Sequence, residues 1–374
     1  MPPASHVYVH VPFCARRCVY CDFAIAVRRT VPVDEYVAGV ASELDLRVPP
    51  GRHGEARTLY FGGGTPSRLG GEGMARLLET VRRRISLAAD AEVTIEANPE
   101  DVSDTSVRAW RDVGVNRLSL GGQSFDDDIL TWMHRTHDAA AITRAVNVAR
   151  GQGIDNVSLD LIFAVPQRAP GSWERDVSRA LELEPSHVSL YGLTVEPHTV
   201  LGRRQTRGEA TESTEETYEH EFLHAHDALG AAGFEHYEVS NFGRPGMRSR
   251  HNSAYWSGCH YVGLGPSAHE FDGQTRRWNI AAYAEWLSAL RDDRDPVGGS
   301  EMLSDENRVA EGVYLGLRTV DGLSVSDEEL ARISIWADAG WATIDDAARV
   351  RLTARGWLRL DALAADLTLV RSRY

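Results

Sequence analysis

The chain has 374 residues, of which 43% are hydrophobic and 25% are charged, a composition typical of a globular protein with room for one large and one smaller domain. A formal net charge of −14 argues against broad nucleic-acid binding, which needs a basic face. No apolar run is long enough to span a membrane and the N-terminus does not resemble a secretory signal, so we expect a cytoplasmic protein.

Short apolar runs alternate with helical patterns through the first half of the chain. The predicted strands are His6–Val11, Thr58–Gly63, Glu92–Pro99, Arg117–Gln123, Asn156–Pro166 and His187–Pro197. The predicted helices cover residues 33–48, 70–86, 103–112, 138–150 and 171–183. This α/β alternation predicts a parallel sheet with helices outside, and six units do not close an eight-fold barrel. We therefore expect an open, partial (β/α)6 barrel.

The second half is less regular and changes character near residue 301. We predict a helix over 212–230, a strand at Glu235–Phe242 and a loop that contains His251–Trp256. Helices at Asp305–Arg318 and Ser326–Ala339 come next, and Val350–Leu360 is predicted as a helix end, a Gly turn and a strand. The pattern predicts a small C-terminal winged-helix-like α+β domain. It lacks a basic recognition helix, which favours a packing or lid role over DNA binding.

These patterns divide the chain into three predicted ranges: the barrel at 1–235, a connecting region at 236–300 and the C-terminal domain at 301–374. Polar residues and glycines gather where the barrel strands end. The cysteine-containing loop follows the first strand, Gly62–Pro66 follows the second, and Glu96, Gln123 and Asp160 lie at the ends of later strands or on them. Because parallel β/α folds place their chemistry at the carboxyl ends of strands, we expect a site at this rim.

Three of the four cysteines, Cys14, Cys18 and Cys21, lie within eight residues of one another. A cytosol would reduce a disulfide framework, so clustered thiols indicate metal. Three thiolates on one tight loop can bind three irons of a [4Fe–4S] cluster and leave the fourth iron open. The alternative is a structural zinc site, which usually offers four ligands as spaced pairs. The nearest additional candidates, His6 and His10, are not paired in this way.

The three-then-two cysteine spacing with an aromatic residue before Cys21 resembles the motif of the radical-SAM superfamily. The resemblance implies that S-adenosylmethionine chelates the open iron and can be cleaved to a 5′-deoxyadenosyl radical. The segment Gly62–Thr65 matches the superfamily's glycine motif, and glycines suit a backbone that approaches a ligand closely.

Within the superfamily, the chain resembles the coproporphyrinogen III dehydrogenase family and its relative, the haem chaperone HemW group. The segments that carry the resemblance are YVHVPFCARRCVYCDF, YFGGGTPS, TIEANPE, LSLGGQSF, DLIFAVP, LYGLTVEP, HNSAYW and GLGPSAHE, which reach residue 270. By matching motif, the resemblance places these residues around S-adenosylmethionine: Tyr8, Gly63, Gly64, Thr65, Glu96, Gln123, Arg135, Asp160 and Gly192.

Two departures from the decarboxylating enzyme favour the chaperone group. Phe23 stands where the enzyme carries a fourth cysteine, and only thirteen residues precede Cys14. The segment 251–256, HNSAYW, also resembles the group's HNxxYW signature.

The segment suits haem on physical grounds as well. Histidine is the commonest proximal ligand of haem iron, so His251 is a candidate ligand, with the alternative that it only caps a loop. Tyr255 and Trp256 offer flat apolar faces to a porphyrin, and Arg248 and Arg250 could meet propionates. His134, His137, His260 and His269 are further candidate ligands, and Cys259 is interpreted as a small buried hydrophobic residue.

The favoured function is therefore a haem chaperone that binds haem and delivers it to apo-haemoproteins, for example respiratory enzymes; such recipients would place it at the inner face of the membrane. The first alternative is the oxidative decarboxylation of coproporphyrinogen III by radical chemistry. Radical chemistry on another substrate is a second alternative, and a winged-helix regulator with an iron–sulfur sensor is a remote one. Whether S-adenosylmethionine is cleaved, and the oligomeric state, are not predicted.

Overall fold

A computed structural model describes residues 5–48, 55–166 and 168–371; the remaining residues of the predicted domain ranges lie outside the described residues. The strands are β1 (His6–Val11), β2 (Phe13–Cys14), β3 (Ala26–Val27), β4 (Ala56–Gly63), β5 (Leu87–Ala97), β6 (Arg117–Gln123), β7 (Val157–Phe163), β8 (His187–Gly192), β9 (Glu235–Glu238), β10 (Asn241–Gly243), β11 (Tyr261–Leu264), β12 (His269–Phe271), β13 (Thr275–Asn279), β14 (Val297–Met302), β15 (Leu323–Ser324), β16 (Ala342–Ile344) and β17 (Arg349–Leu352). The helices are α1 (Val33–Arg47), α2 (Gly70–Arg82), α3 (Asp104–Asp112), α4 (Asp127–Trp132), α5 (Ala139–Gly151), α6 (Ser172–Glu182), α7 (Val200–Thr206), α8 (Glu215–Ala231), α9 (Arg250–Trp256), α10 (Tyr283–Arg291), α11 (Asp305–Arg318), α12 (Asp327–Asp338), α13 (Ala354–Trp357) and α14 (Leu360–Arg371).

Six parallel neighbours, β1, β4, β5, β6, β7 and β8, form the centre of a twelve-stranded sheet in that order. These strands and the helices between them confirm the predicted β/α alternation. On one side β11 adds a parallel strand to β1 and continues into antiparallel β12, β13 and β14; on the other side β10 and β9 pair antiparallel. Within the ranges that the structure describes, the two ends of this strand order are not paired with each other, which agrees with the predicted open barrel.

Residues along the central strands alternate between an apolar outer face and a polar inner face. On β1, Val7 and Val9 are buried in the hydrophobic core, whereas His6, Tyr8 and His10 point the other way. The same alternation repeats on the neighbouring strands. Outward side chains therefore pack on helices, and inward polar groups fill the barrel, where each must find a partner or a ligand.

The predicted loop at His251–Trp256 is wrong, because Arg250–Trp256 is helix α9. The Ser249 hydroxyl accepts a hydrogen bond from the N–H of Asn252 and caps the helix. The Glu92 carboxylate, from β5, accepts the N–H groups of Arg250 (3.1 Å) and His251 (3.0 Å). The local sequence did not indicate this helix because its first turn is satisfied by a carboxylate about 160 residues away in the chain.

Two further strand assignments differ from the prediction. Glu235–Phe242 is not one strand but the antiparallel hairpin β9–β10. Val350–Leu360 begins with strand β17 and continues into α13 and α14, the reverse of the predicted order. Gly356 lies inside α13 rather than in a turn. A Cβ at this position would lie 2.0 Å from the Trp341 carbonyl oxygen, so a larger residue would not fit. The glycine serves close packing.

The C-terminal unit contains the three-stranded antiparallel sheet β15–β17–β16 together with helices α11 to α14. Its order of helix, strand, helix and hairpin is compatible with the predicted winged-helix-like domain. The predicted domain boundaries stay predictions; β9 to β14, from the connecting region and its edges, belong to the main sheet. In the part of the chain that the structure describes, no helix is long and apolar enough to cross a membrane.

Glu43 joins α1 to the far side of the sheet. Its carboxylate is fully buried and accepts hydrogen bonds from the Gly265 N–H (2.8 Å), the Asn279 amide (2.6 Å) and the Trp286 indole (3.1 Å). Arg47 completes the group with an ion pair. Burial raises the pKa of Glu43, which Arg47 and these donors oppose. The cluster therefore fixes the turn at residue 265, which lines up β11 and β12.

Substituting Glu43→Ala should lower the free energy of unfolding by about 3–5 kcal/mol, because it leaves the buried Gly265 N–H and Trp286 indole without an acceptor and removes one of the two carboxylates paired with buried Arg47. Chemical denaturation followed by circular dichroism measures the change. Glu79→Ala, which removes an exposed carboxylate paired with the exposed Arg83, should change stability by less than about 1 kcal/mol. Equal losses for the two variants would contradict the role given to Glu43.

Candidate functional site

The loop that carries the three clustered cysteines leaves β1 at the carboxyl end of the barrel. Its two ends are tied together by the short pair β2 and β3, in which the Ala26 N–H bonds the Pro12 carbonyl (2.7 Å) and the Arg28 N–H bonds that of Cys14 (3.0 Å). Cys14, Cys18 and Cys21 all line one cavity of about 480 Å³, which we call the cluster cavity. The loop thus brings the three thiols to a single chamber.

The surroundings of the thiols differ from one cysteine to the next. Burial raises the pKa of Cys14 to about 11, and its Sγ lies 3.5 Å from the Thr65 hydroxyl. Arg135 donates from Nη1 to the Cys18 sulfur (3.4 Å) and places a buried positive charge beside it. Among the described residues no three His, Cys, Asp or Glu side chains converge on one ion. A cubane instead needs each thiolate at a different corner iron.

The glycine segment at the end of β4 is required by packing inside the protein. A Cβ on Gly62 would lie within 3 Å of Tyr60 and Glu96, and one on Gly64 would lie 2.6 Å from the Pro12 carbonyl. Gly63 has φ +109° and faces the His10 ring. The sequence reasoning assigned these glycines to ligand approach; the structure adds that the backbone already needs them to pass close to β1.

Two carboxyl groups, from β5 and β7 on either side of β6, point into the barrel beneath the cysteine loop. Glu96 accepts the Tyr60 hydroxyl (2.8 Å) and the Gly63 N–H (3.0 Å), and burial raises its pKa to about 7. Asp160 accepts the Ser119 hydroxyl (3.1 Å), and burial raises its pKa as well. Both line the cluster cavity and can accept hydrogen bonds from a polar ligand.

The structure brings the residues predicted for S-adenosylmethionine together at this rim, with the exception of Tyr8. Eight line the cluster cavity: Gly63, Gly64, Thr65, Glu96, Gln123, Arg135, Asp160 and Gly192. Tyr8 instead lines the adjoining large cavity described below, together with Gly63 and Glu96, which border both. Gln123 adopts φ +68°, a conformation that non-glycine residues rarely take, at the end of β6.

These residues fit the cofactors that the resemblance implies. Three thiols stand on one wall for the cluster, and the buried Nε of Arg135 has no partner within the described residues. Carboxylates, an amide and glycine backbone line the rest of the chamber, as a ligand with amino, carboxylate and ribose groups would need. Cys14, Cys18 and Cys21 would hold the cluster, and the rim residues would orient S-adenosylmethionine against it.

A second cavity of about 1250 Å³, the large cavity, adjoins the first. One wall continues the inner face of the barrel onto β11 and β12, with Tyr261 and Phe271. The facing wall comes from the C-terminal helices, with Tyr314 of α11 and Leu369 of α14. Phe23, of the cysteine loop, borders both cavities and is 67% exposed. The chamber is mostly apolar and exceeds the usual volume of a small-ligand pocket.

Two of the three residues predicted for haem line the large cavity, and the third does not. Tyr255 and Trp256 line it, whereas His251 is only 1% exposed and does not. The His251 ring bonds the Thr58 hydroxyl through Nδ1 (2.7 Å) and the Tyr255 hydroxyl through Nε2 (2.9 Å). Burial lowers its pKa to about 3, so the ring is neutral. To bind iron, His251 would have to release one of these two partners.

Other sequence-based expectations are corrected here. Arg248 pairs with Glu235 and Asp321, and Arg250 with Asp90, so neither lines the large cavity as a propionate partner. Cys259 is exposed on the wall of the large cavity and is not a buried hydrophobic residue.

Sequence reasoning missed the inward strand residues beneath the rim and the whole α11–α14 wall. Thr58 and Tyr60, which hold His251 and Glu96, could have been found from the period-two alternation along β4. The contact between the C-terminal helices and the barrel mouth carries no local signal, because both faces are apolar and far apart in the chain.

The chain is similar to known proteins of the radical SAM superfamily. The Radical SAM superfamily profile matches residues 8–179. The heme chaperone HemW of Mycobacterium tuberculosis is 38% identical over 369 residues, 96% of this chain and 94% of the relative. The heme chaperone HemW of Escherichia coli is 39% identical over 270 residues, 72% and 70% respectively. The structure of coproporphyrinogen III oxidase from Escherichia coli has a TM-score of 0.84 at 22% identity, covers 98% of this chain and 91% of that one, and shows likeness of fold.

Replacing any one of Cys14, Cys18 and Cys21 by Ala should prevent stable assembly of an iron–sulfur cluster, because each would remove the protein ligand of one corner iron. Iron and acid-labile sulfide per chain after anaerobic reconstitution measure the loss. Cys259→Ala is the matched control, since its thiol lies on the other cavity, and should keep full cluster content. A normal cluster in a triple Cys→Ala variant would refute the assignment.

The affinity for S-adenosylmethionine should rise with pH up to about 7 and level off above it. Glu96 is protonated below its pKa of about 7, and a ligand that donates hydrogen bonds to it requires the ionised form, so binding must release a proton at lower pH. Titration calorimetry of the reconstituted protein between pH 6 and 8 measures this slope.

Glu96→Gln should flatten the slope, because the amide does not titrate. Glu100→Gln should keep it, since bonds from His137 and Thr136 outweigh burial and lower the Glu100 pKa to about 2. A slope that persists in Glu96→Gln would exclude Glu96 as its origin.

Proposed function

The chain belongs to the HemW haem chaperone family of the radical SAM superfamily, and on this premise we propose that it binds haem in the large cavity and delivers it to apo-haemoproteins. Membership of the superfamily implies a [4Fe–4S] cluster with S-adenosylmethionine, which we assign to the cluster cavity. Haem is the cargo rather than a resident cofactor. The recipients, for example membrane respiratory enzymes, belong to the same proposal.

The observation that carries the proposal is the size and character of the large cavity. Its volume of about 1250 Å³ suits a macrocycle, and aromatic side chains line it from the barrel floor, the sheet extension and α11. Tyr255 and Trp256, from the HNSAYW segment, contribute two of these rings. A porphyrin is flat and apolar at its centre, so stacking on such walls would remove a large apolar surface from water.

The rim of the cavity suits a cargo that must leave again. Phe23 and Leu369, on opposite walls, are 67% and 65% exposed. Exposed apolar side chains beside a cavity are typical of surfaces that meet another protein or a ligand. A recipient that docks there could cover the exposed edge of the porphyrin during transfer.

One observation keeps radical chemistry on a porphyrinogen as a second candidate. Asp22, Phe23, Gly63 and Glu96 line both cavities, so a macrocycle in the large cavity would lie next to S-adenosylmethionine. Such contact is what a radical enzyme needs. Phe23, however, stands in place of the fourth cysteine of the decarboxylating enzyme, and we favour delivery for this reason.

Two assays on anaerobically reconstituted protein separate these candidates. We expect stoichiometric uptake of haem, followed by transfer to an apo-haemoprotein, and no conversion of coproporphyrinogen III in the presence of S-adenosylmethionine and a reductant. Absorption spectra follow the haem, and chromatography follows the porphyrins. Trp256→Ala should weaken haem uptake by removing a stacking wall, while Trp132→Ala, outside the large cavity, serves as the control. Turnover to the decarboxylated product would overturn the proposal.

A further inference from the structure

The histidines near the large cavity differ in whether a ring nitrogen is available. His10 lines the cavity, but its Nδ1 bonds the Tyr8 hydroxyl (3.1 Å) and its Nε2 the Ala24 carbonyl (2.9 Å). His251 reaches the cavity only through Tyr255, and both of its nitrogens are occupied. His269 also lines the cavity, and within the described residues no hydrogen bond engages its ring. It is the histidine on this wall with a nitrogen free for a ligand.

We propose that His269 is the axial ligand of the haem iron in the large cavity. The inference rests on the proposed function, because it requires haem to occupy this cavity. It adds a residue outside the HNSAYW segment and changes the role of that segment: His251 would position Tyr255 through their hydrogen bond, and Tyr255 and Trp256 would pack against the macrocycle.

The sheet presents His269 on the same face as the aromatic wall. His269 begins β12, two residues before Phe271, which pairs with Tyr261 on β11; side chains two apart on a strand share a face. Across the next pair His269 lies opposite Trp278, and the two rings stack at 5.8 Å with an angle of 27°. The indole thus restricts the imidazole without using either of its nitrogens.

The backbone around His269 is set by close packing. A Cβ on Gly263 would lie 1.9 Å from the His269 carbonyl oxygen, so glycine allows β11 and β12 to approach. The turn between them contains Gly265 at φ +91° and Ser267 at φ +62°. The buried Glu43 carboxylate holds the Gly265 N–H. The ligand would therefore stand on a rigid wall rather than on a mobile loop, as a defined iron geometry requires.

The protonation state also suits iron. A histidine must be neutral to donate its lone pair to a metal, and protons compete for the same nitrogen. Partial enclosure of the ring, with a contribution from the neighbouring Arg276, lowers the pKa of His269. Arg276 itself is paired with Glu311 of α11 and leaves the imidazole unbonded. The ring is therefore neutral in neutral solution and ready to bind.

The test is a titration of the full-length protein with ferric haem, followed by absorption and electron paramagnetic resonance spectra. His269→Ala should weaken binding by about 10- to 100-fold and remove the spectral signature of imidazole ligation. Free imidazole added to this variant should restore the signature, which a merely structural role would not do. His260→Ala, at the position directly before β11 and outside the cavity lining, is the matched control and should match the unsubstituted protein.

The outcomes separate the two levels of the proposal. If the unsubstituted protein takes up no haem, both the proposed function and the ligand assignment fail. If it takes up haem but His269→Ala keeps the original spectrum and affinity, only the assignment fails. With His269→Ala unaffected, loss of the imidazole signature in His251→Phe, or a thiolate signature that disappears in Cys259→Ser, would transfer the ligand role to that residue and overturn the inference.

Discussion

The structure depends on the alternation of apolar and polar side chains along six parallel strands. The apolar half buries itself against the outer helices, which stabilises the barrel wall. The polar half faces a closed interior, where unpaired groups are costly. Glu92 meets the N-terminus of α9, Glu96 meets Tyr60 and Gly63, and Asp160 meets serines of neighbouring strands. The pairing of these inward groups shapes both the floor of the barrel and its rim.

The two cavities are consequences of how this barrel is covered. The cysteine loop covers its upper end and encloses the cluster cavity, while α9 closes the floor. Because the barrel is open, β11 to β14 extend its inner face sideways, and the C-terminal helices α11 and α14 face that extension. The large cavity lies between them. Glu96 and Phe23 stand at the shared wall, so any ligand in one chamber lies beside the other.

The fold by itself does not distinguish a haem carrier from a porphyrinogen enzyme. The chain shares its fold with coproporphyrinogen III oxidase at 22% identity, and unrelated functions often share a fold. In our proposal, what separates them lies in single side chains around the shared wall. Phe23 offers an apolar ring where a further thiol would offer a metal ligand, and the HNSAYW helix uses its histidine to hold Tyr255. In the proposed function, the cavity binds a macrocycle by stacking, with iron as an additional anchor.

The sequence by itself determined the six-fold β/α alternation, the cysteine loop and the polar rim. Strand periodicity and cysteine spacing are local properties, so they can be read from the order of the residues alone. It also indicated the relevance of Glu96, Asp160 and Tyr255. Only the tertiary structure decided that HNSAYW is a helix capped by Glu92, that the ring of His251 is occupied, and that Cys259 is exposed. Each of these depends on a partner far away in the chain, and burial, charge pairing and free nitrogens exist only once those partners meet.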